Sequence, residues 1–101
     1  MYRKGHGVPQ DYKTAVKWYT LAAEQGHAKA QTNLGWMYGE GDGVLQDYVR
    51  AHMWFNIAAS SGESENASKN RDIVAERMNS NQIETAQRLA RECVRKKYKG
   101  C

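Results

Sequence analysis

The sequence predicts an all-α protein, an α-solenoid of antiparallel helix pairs with about 2.5 repeats and a basic C-terminal capping helix. The main observation is an internal repeat without gaps. Positions 2–26 align with positions 38–62, and 12 of the 25 pairs are identical. Within each copy, apolar residues recur at steps of three and four, the spacing of one helix face. A fixed period of this size is typical of stacked helical units, which bury their apolar faces against their neighbours.

The first predicted helix runs from Tyr12 to Glu24, and the second copy repeats it from Tyr48; we name these the B helices. An aspartate precedes each of them and can accept the free N–H groups of the first turn. A glycine follows each and can close it in a left-handed conformation. The aspartates are Asp11 and Asp47, and the glycines are Gly26 and Gly62. Trp18 and Trp54, at equivalent positions, are expected to fill the space between helices.

Between the two copies, the spacing predicts a short A helix over Ala28–Tyr38. The link 39–43 is rich in glycine and is expected to be a tight connection. After Gly62 the pattern changes, and 63–101 form an altered terminal unit. A helix is predicted over Ser64–Met78, with Ala67, Asn70, Ile73, Val74 and Met78 along one side. A capping box at Asn79 and Gln82 then begins a last helix that extends to Lys97.

These residues resemble the Sel-1-like repeat, a relative of the tetratricopeptide repeat. The quoted motif reads Leu34-Gly35-x-x-Tyr38, Gly41-x-Gly43-Val44, Asp47, Ala51, Trp54, Ala58-Ala59 and Gly62. The resemblance implies one domain over 1–101, a right-handed stack of helix pairs, and the binding of another protein or peptide. It also implies that A helices line the concave face. The residues placed there are Lys29, Thr32, Asn33 and Trp36, with Glu65, Ser68, Lys69 and Asp72 as the corresponding positions of the terminal unit.

Trp36 is the residue singled out for binding, because an indole supplies a large apolar anchor with a donor at its edge. The alternative is that Trp36 packs against the neighbouring A helix. Both interpretations stay open at the level of sequence.

The net charge of +4 is concentrated at the C-terminal end. From Gln82 onward, six cations and two acids give 6 − 2 = +4, and the preceding residues are balanced. A basic surface for nucleic acid or an anionic surface is the alternative function. We favour a solvated capping helix, whose cations lie near the negative end of the helix dipole. Apart from Tyr98, no aromatic residue is interleaved with the cations.

We expect no enzyme activity, cofactor or metal site. The sequence contains neither a Gly-x-Ser-x-Gly motif nor a Gly-x-x-x-x-Gly-Lys phosphate loop. The three histidines, His6, His27 and His52, have no spacing that suggests shared ligation. No apolar stretch approaches the length of a membrane span, and no signal peptide is recognised.

Cys93 and Cys101 are the only cysteines and are predicted to form a disulfide. On one continuous helix their Cα atoms would be roughly 12 Å apart, too far for a bond. The last helix must therefore end near Tyr98, with Gly100 turning the tail back. The disulfide would imply an oxidising compartment such as a bacterial periplasm.

The N-terminal end is predicted to self-associate. Tyr2 aligns with Tyr38, the end of an A helix, so the first B helix has no A helix of its own in this chain. We expect Tyr12, Val16, Tyr19 and Ala23 to be incompletely covered, and a two-fold homodimer would cover them. Repeats upstream in a longer native protein are the alternative.

Overall fold

The computed structural model describes residues 11–62 and 65–101, without the side chain of Glu65. Five α-helices and no strand occur in these ranges. The helices are α1 (Tyr12–Glu24), α2 (Ala28–Glu40), α3 (Tyr48–Ser60), α4 (Glu65–Ala75) and α5 (Ser80–Arg95). Helices α1 to α4 pack mainly against their neighbours in the chain, whereas α5 packs against α3. The all-α helical-repeat prediction is confirmed. The expected N-terminal part of the first copy, 2–10, lies outside the described residues.

The predicted N-terminal caps are present. Asp11 Oδ1 accepts a hydrogen bond from the Thr14 N–H at 3.1 Å. Asp47 Oδ1 accepts one from the Arg50 N–H at the same distance. Asn79 and Gln82 form the reciprocal capping box, with distances of 2.8 and 2.9 Å. Local sequence therefore sets where α1, α3 and α5 begin.

The ends of three helices differ from the predictions. Helix α2 continues through Gly39 and Glu40, and it closes only at Gly41, which has a φ of 75°. Helix α4 ends at Ala75 instead of Met78, and α5 ends at Arg95 instead of Lys97. The expected start of α4 at Ser64 lies outside the described residues. Gly39 did not stop α2, because the helix ends where a residue adopts the left-handed conformation, and that residue is Gly41.

The first core cluster joins α1, α2, α3 and α5. Its buried members are Ala23, Leu34, Met53, Trp54, Ile57, Ala90 and Cys93. Trp54 is 2% exposed, but its repeat equivalent Trp18 is 63% exposed. The expectation that both fill interhelical space is therefore wrong for Trp18. Trp54 shares its cluster with residues of α1 and α2.

The incomplete cover predicted at the N-terminal end is found for three of the four residues. Tyr12, Val16 and Tyr19 are half-buried, with Val16 and Tyr19 packed against the first core cluster, whereas Ala23 is fully buried. The exposed apolar side chains of α1 are Trp18 and Leu21, at 63% and 47%. The exposed apolar surface of α1 therefore extends beyond the predicted residues to Trp18 and Leu21.

The C-terminal tail turns back after α5, and the predicted disulfide between Cys93 and Cys101 is present, with Cα atoms 5.7 Å apart. Lys97 and Tyr98 both adopt positive φ angles. This reversal places the Tyr98 ring against the first core cluster and beside Gly26, at the end of α1. The Arg50 guanidinium donates to the Cys101 carbonyl. The terminal unit is therefore joined to both preceding B helices.

Candidate binding groove

A cavity of about 340 Å³ lies between the C-terminal half of α2 and the C-terminal half of α4. The start of α3 forms its third side. Its lining includes Trp36, Glu40, Tyr48, Asn70, Ile73 and Arg77. Because α2 and α4 are successive A helices, this cavity lies on the surface where the repeat pattern placed binding residues. We call it the α2/α4 groove.

Trp36 forms one wall of the groove. Its indole is half-buried and meets the Phe55 ring edge-on, with centroids 6.0 Å apart and an interplanar angle of 79°. It packs against the core cluster of Ala51, Phe55 and Val74. The buried Nε1 atom has no hydrogen-bond partner among the described residues. Trp36 thus combines both interpretations left open by the sequence, since it lines the cavity and packs against the core.

The link between α2 and α3 is held in place by hydrogen bonds. The Asp47 N–H donates to the Tyr38 carbonyl at 2.9 Å. The Gln46 side-chain amide donates to the Gly39 carbonyl at 2.9 Å and lies 3.3 Å from the Tyr48 hydroxyl. These contacts fix the third side of the groove against the end of α2. Such a wall loses little conformational entropy when a ligand binds.

Helix α4 supplies the opposite wall. Val74 is 8% exposed and belongs to the core, whereas Ile73 is 51% exposed and lines the cavity. Ile73 and Val74 were both predicted on one side of this helix, and both line the cavity. The side chain of Asn70 is buried at the same wall. Arg77 lies just beyond α4, and within the described ranges its guanidinium has no hydrogen bond or ion pair.

The structure brings only one of the sequence-predicted binding residues, Trp36, into the cavity lining. Lys29 and Asn33 lie on the same stripe of α2, at steps of four and three before Trp36. Lys29 is exposed and Asn33 is half-buried. Thr32 is only 8% exposed, and its hydroxyl donates to the Ala28 carbonyl at 3.0 Å. Its placement on an open binding face therefore does not agree with its burial.

The residues predicted to bind on α4 are not the α4 residues that line the cavity. Lys69 and Asp72 are exposed and Ser68 is half-buried, but none of them lines the cavity. Asp72 Oδ1 instead lies 3.3 Å from Arg71 Nε. The Glu65 side chain lies outside the described residues. The lining residues missed by the sequence analysis are Asn70, Ile73 and Arg77. Asn70, Ile73 and Arg77 are spaced by three and four residues, which places them on one helix face. This spacing, together with an apolar residue in an otherwise polar helix, could have predicted them.

His52 is buried on α3 and is not part of the groove. It is 3% exposed, and its Nδ1 atom has no hydrogen-bond partner within residues 11–62 and 65–101. Burial lowers the pKa of His52, the Arg71 cation lowers it further, and Asp72 opposes both effects. Histidine, cysteine and acidic side chains form no cluster of three that could hold a metal in the two described ranges.

Stacked antiparallel helices with a groove between successive A helices define the class of helical-repeat proteins. The Sel1 repeat model matches residues 1–27 and 28–63, and the chain belongs to the Sel1 repeat family. Sel1 repeats are generally protein–protein interaction modules, and their proteins are typically non-enzymatic scaffolds. No helix in the described part of the chain is long and apolar enough to cross a membrane.

The chain is also similar to a solved structure, the crystal structure of c5321, a protective antigen present in uropathogenic Escherichia coli strains and displaying an SLR fold. The two superpose with a TM-score of 0.85 at 36% sequence identity. The match covers 94% of this chain and 20% of that one, so this chain spans one fifth of that protein's length. No curated protein matches the chain.

Proposed function

We propose that residues 1–101 form a single repeat domain that binds a segment of another protein in the α2/α4 groove. One observation carries this proposal. Two large apolar side chains, Trp36 and the half-exposed Ile73, line one cavity from successive A helices. Partly exposed tryptophan beside a preformed cavity has the character of an interface hot spot. The family's general role in protein–protein interaction supports the same conclusion.

The test is affinity capture from host lysate with three forms of the chain: native, Trp36→Ala and Val94→Ala. Both variants truncate a partly exposed apolar side chain, one in the groove and one on α5, where Val94 is 47% exposed. We expect Trp36→Ala to lose partners that Val94→Ala retains. Identical sets of captured proteins from both variants would contradict the groove.

Because Trp36 also packs against Phe55, its loss could unfold the chain. Ile73→Ser provides the necessary second variant, since Ile73 is 51% exposed and its replacement should cost little stability. We expect Ile73→Ser to lose the same partners as Trp36→Ala while keeping the native unfolding midpoint. Unfolding in urea, followed by circular dichroism, checks this for each variant.

A second candidate function uses the basic surface of α5 and the tail. All six cations from Arg88 onward are exposed, and in the described ranges the only ion pair to them joins Arg88 and Glu92 at 3.4 Å. Such a surface would bind DNA or anionic lipid with a steep salt dependence. Anisotropy of labelled duplex DNA, titrated at several salt concentrations, distinguishes the two functions. We expect the chain to bind the duplex DNA weakly, and Trp36→Ala to leave that DNA binding unchanged.

A further inference from the structure

We infer that the α2/α4 groove selects an acidic peptide segment that carries one large apolar side chain. The apolar side chain would enter the cavity between Trp36 and Ile73, and a neighbouring carboxylate would lie against Arg77. This inference rests on the proposed function and specifies the chemistry of its partner.

The apolar part of the inference follows from how the cavity walls are supported. Behind Trp36 and Ile73 lie Phe55 and Val74, which are 1% and 8% exposed. The walls are therefore parts of the folded core and not freely moving side chains. A volume of about 340 Å³ lies at the small end of ligand pockets and suits one inserted side chain better than a folded surface. Inserting an apolar group there removes the exposed part of Ile73 from water.

The acidic part of the inference follows from the charges around the cavity. Arg77 lines it, and within the described ranges its guanidinium has no partner. Glu40 also lines it, but Glu40 already takes part in an interaction within the chain. A guanidinium presents a planar fork of donors that matches a carboxylate in a bidentate arrangement. Arg77 is thus the cation of the cavity lining that is available to a ligand.

Two more cations extend this charge along the groove. Lys29 lies on the stripe of α2 that leads to Trp36, and Lys69 lies one turn before Ile73 on α4. Both are exposed. The nearest predicted acid on α4, Asp72, is paired with Arg71 at 3.3 Å. Lys29 and Lys69 therefore add positive charge near the two walls of the groove, which complements an acidic segment.

The test uses short fluorescein-labelled peptides on a serine–glycine scaffold, with either leucine or alanine at the centre. The flanking positions carry either aspartate or lysine. Binding is measured by fluorescence anisotropy at constant ionic strength. We expect the leucine–aspartate peptide to bind about tenfold more tightly than either the alanine–aspartate or the leucine–lysine peptide. The alanine peptide loses buried apolar surface, and the lysine peptide loses a charge-assisted contact.

Arg77→Glu should reverse the preference, so that the leucine–lysine peptide binds more tightly. The matched control is Arg95→Glu, which makes the same change of charge at the far end of α5 and should leave the order of the peptides unchanged. An equal effect of both substitutions would show that net charge, and not the groove, sets the preference, and the inference would be wrong.

Two other outcomes separate this inference from the proposed function. Peptides that bind through leucine regardless of flanking charge would overturn the acidic preference but leave the groove as a binding site. Failure of every peptide to bind, together with partner capture that still depends on Trp36 and Ile73, would mean that the groove recognises a folded surface. The inference would then be wrong while the proposed function stands.

Discussion

The two glycines inside α2 provide a sharp test of how the groove wall is packed. A Cβ atom built on Gly35 would lie 2.7 Å from Phe55 Cε1 and 2.8 Å from Phe55 Cδ1. The same atom built on Gly39 would lie 3.7 Å from the Ala51 Cβ, an ordinary van der Waals contact. Phe55 is 1% exposed and packs edge-on against Trp36. We therefore expect Gly35→Ala to be destabilising and Gly39→Ala to be tolerated.

The magnitude follows from two opposing effects. Replacing glycine by alanine within a helix contributes about 0.5–1 kcal/mol of stability, and both variants share this gain. Overpacking a buried site costs about 1–3 kcal/mol, and only Gly35→Ala incurs it. The difference between the variants should therefore be about 1–3 kcal/mol in the free energy of unfolding. For a chain of this size, each kcal/mol corresponds to about 4–8 °C in Tm.

The assay is urea and thermal unfolding of both variants and the native chain, followed by circular dichroism at the helix band. Gly39→Ala should match or exceed the native midpoint, and Gly35→Ala should fall below it. Equal midpoints for the two variants would refute the reasoning, because they would show that Phe55 can move away from α2 at no cost. Displacement of Phe55 would also disturb Trp36, so weaker peptide binding by Gly35→Ala is expected.

Three further predictions concern the rest of the chain. Reduction of the Cys93–Cys101 disulfide, or a double serine variant, should lower the free energy of unfolding by about 2–3 kcal/mol, as measured in urea. The pKa of His52 lies below its ordinary value of 6.5, so the unfolded state binds the proton more readily. The contribution of neutral His52 to the free energy of unfolding should be complete above pH 6.5 and should be lost as the pH falls below 6.5. His52→Gln should remove this pH dependence of the free energy of unfolding. The native chain should form dimers or larger species through Trp18 and Leu21, and Trp18→Ser should be monomeric by light scattering coupled to gel filtration. A monomeric native chain at high concentration would contradict this.

The sequence predicted one wall of the candidate groove and missed the other. Trp36 was found because α2 carries the repeat signature, which fixes the register of its faces. Helix α4 lacks that signature, so its predicted residues, such as Lys69 and Asp72, fall beside the lining positions. Near the middle of an α-helix, adjacent positions differ by about 100° in direction. An error of one residue in the assigned position therefore moves a side chain from the groove to a neighbouring face. The predicted Lys69 and Asp72 each lie one residue before the lining residues Asn70 and Ile73.

The sequence by itself determined the helices and most of their starting points. Apolar spacing and capping side chains are local properties, so Asp11, Asp47 and Asn79 could be read without knowing the fold. Tertiary structure decided which side chains of these helices are buried by neighbouring helices. Trp18 and Trp54 occupy the same position of the repeat, but one is 63% and the other 2% exposed, because burial depends on which neighbours are present. The cysteine spacing showed that α5 must break, but only the packing of the returning tail placed Tyr98 against the end of α1.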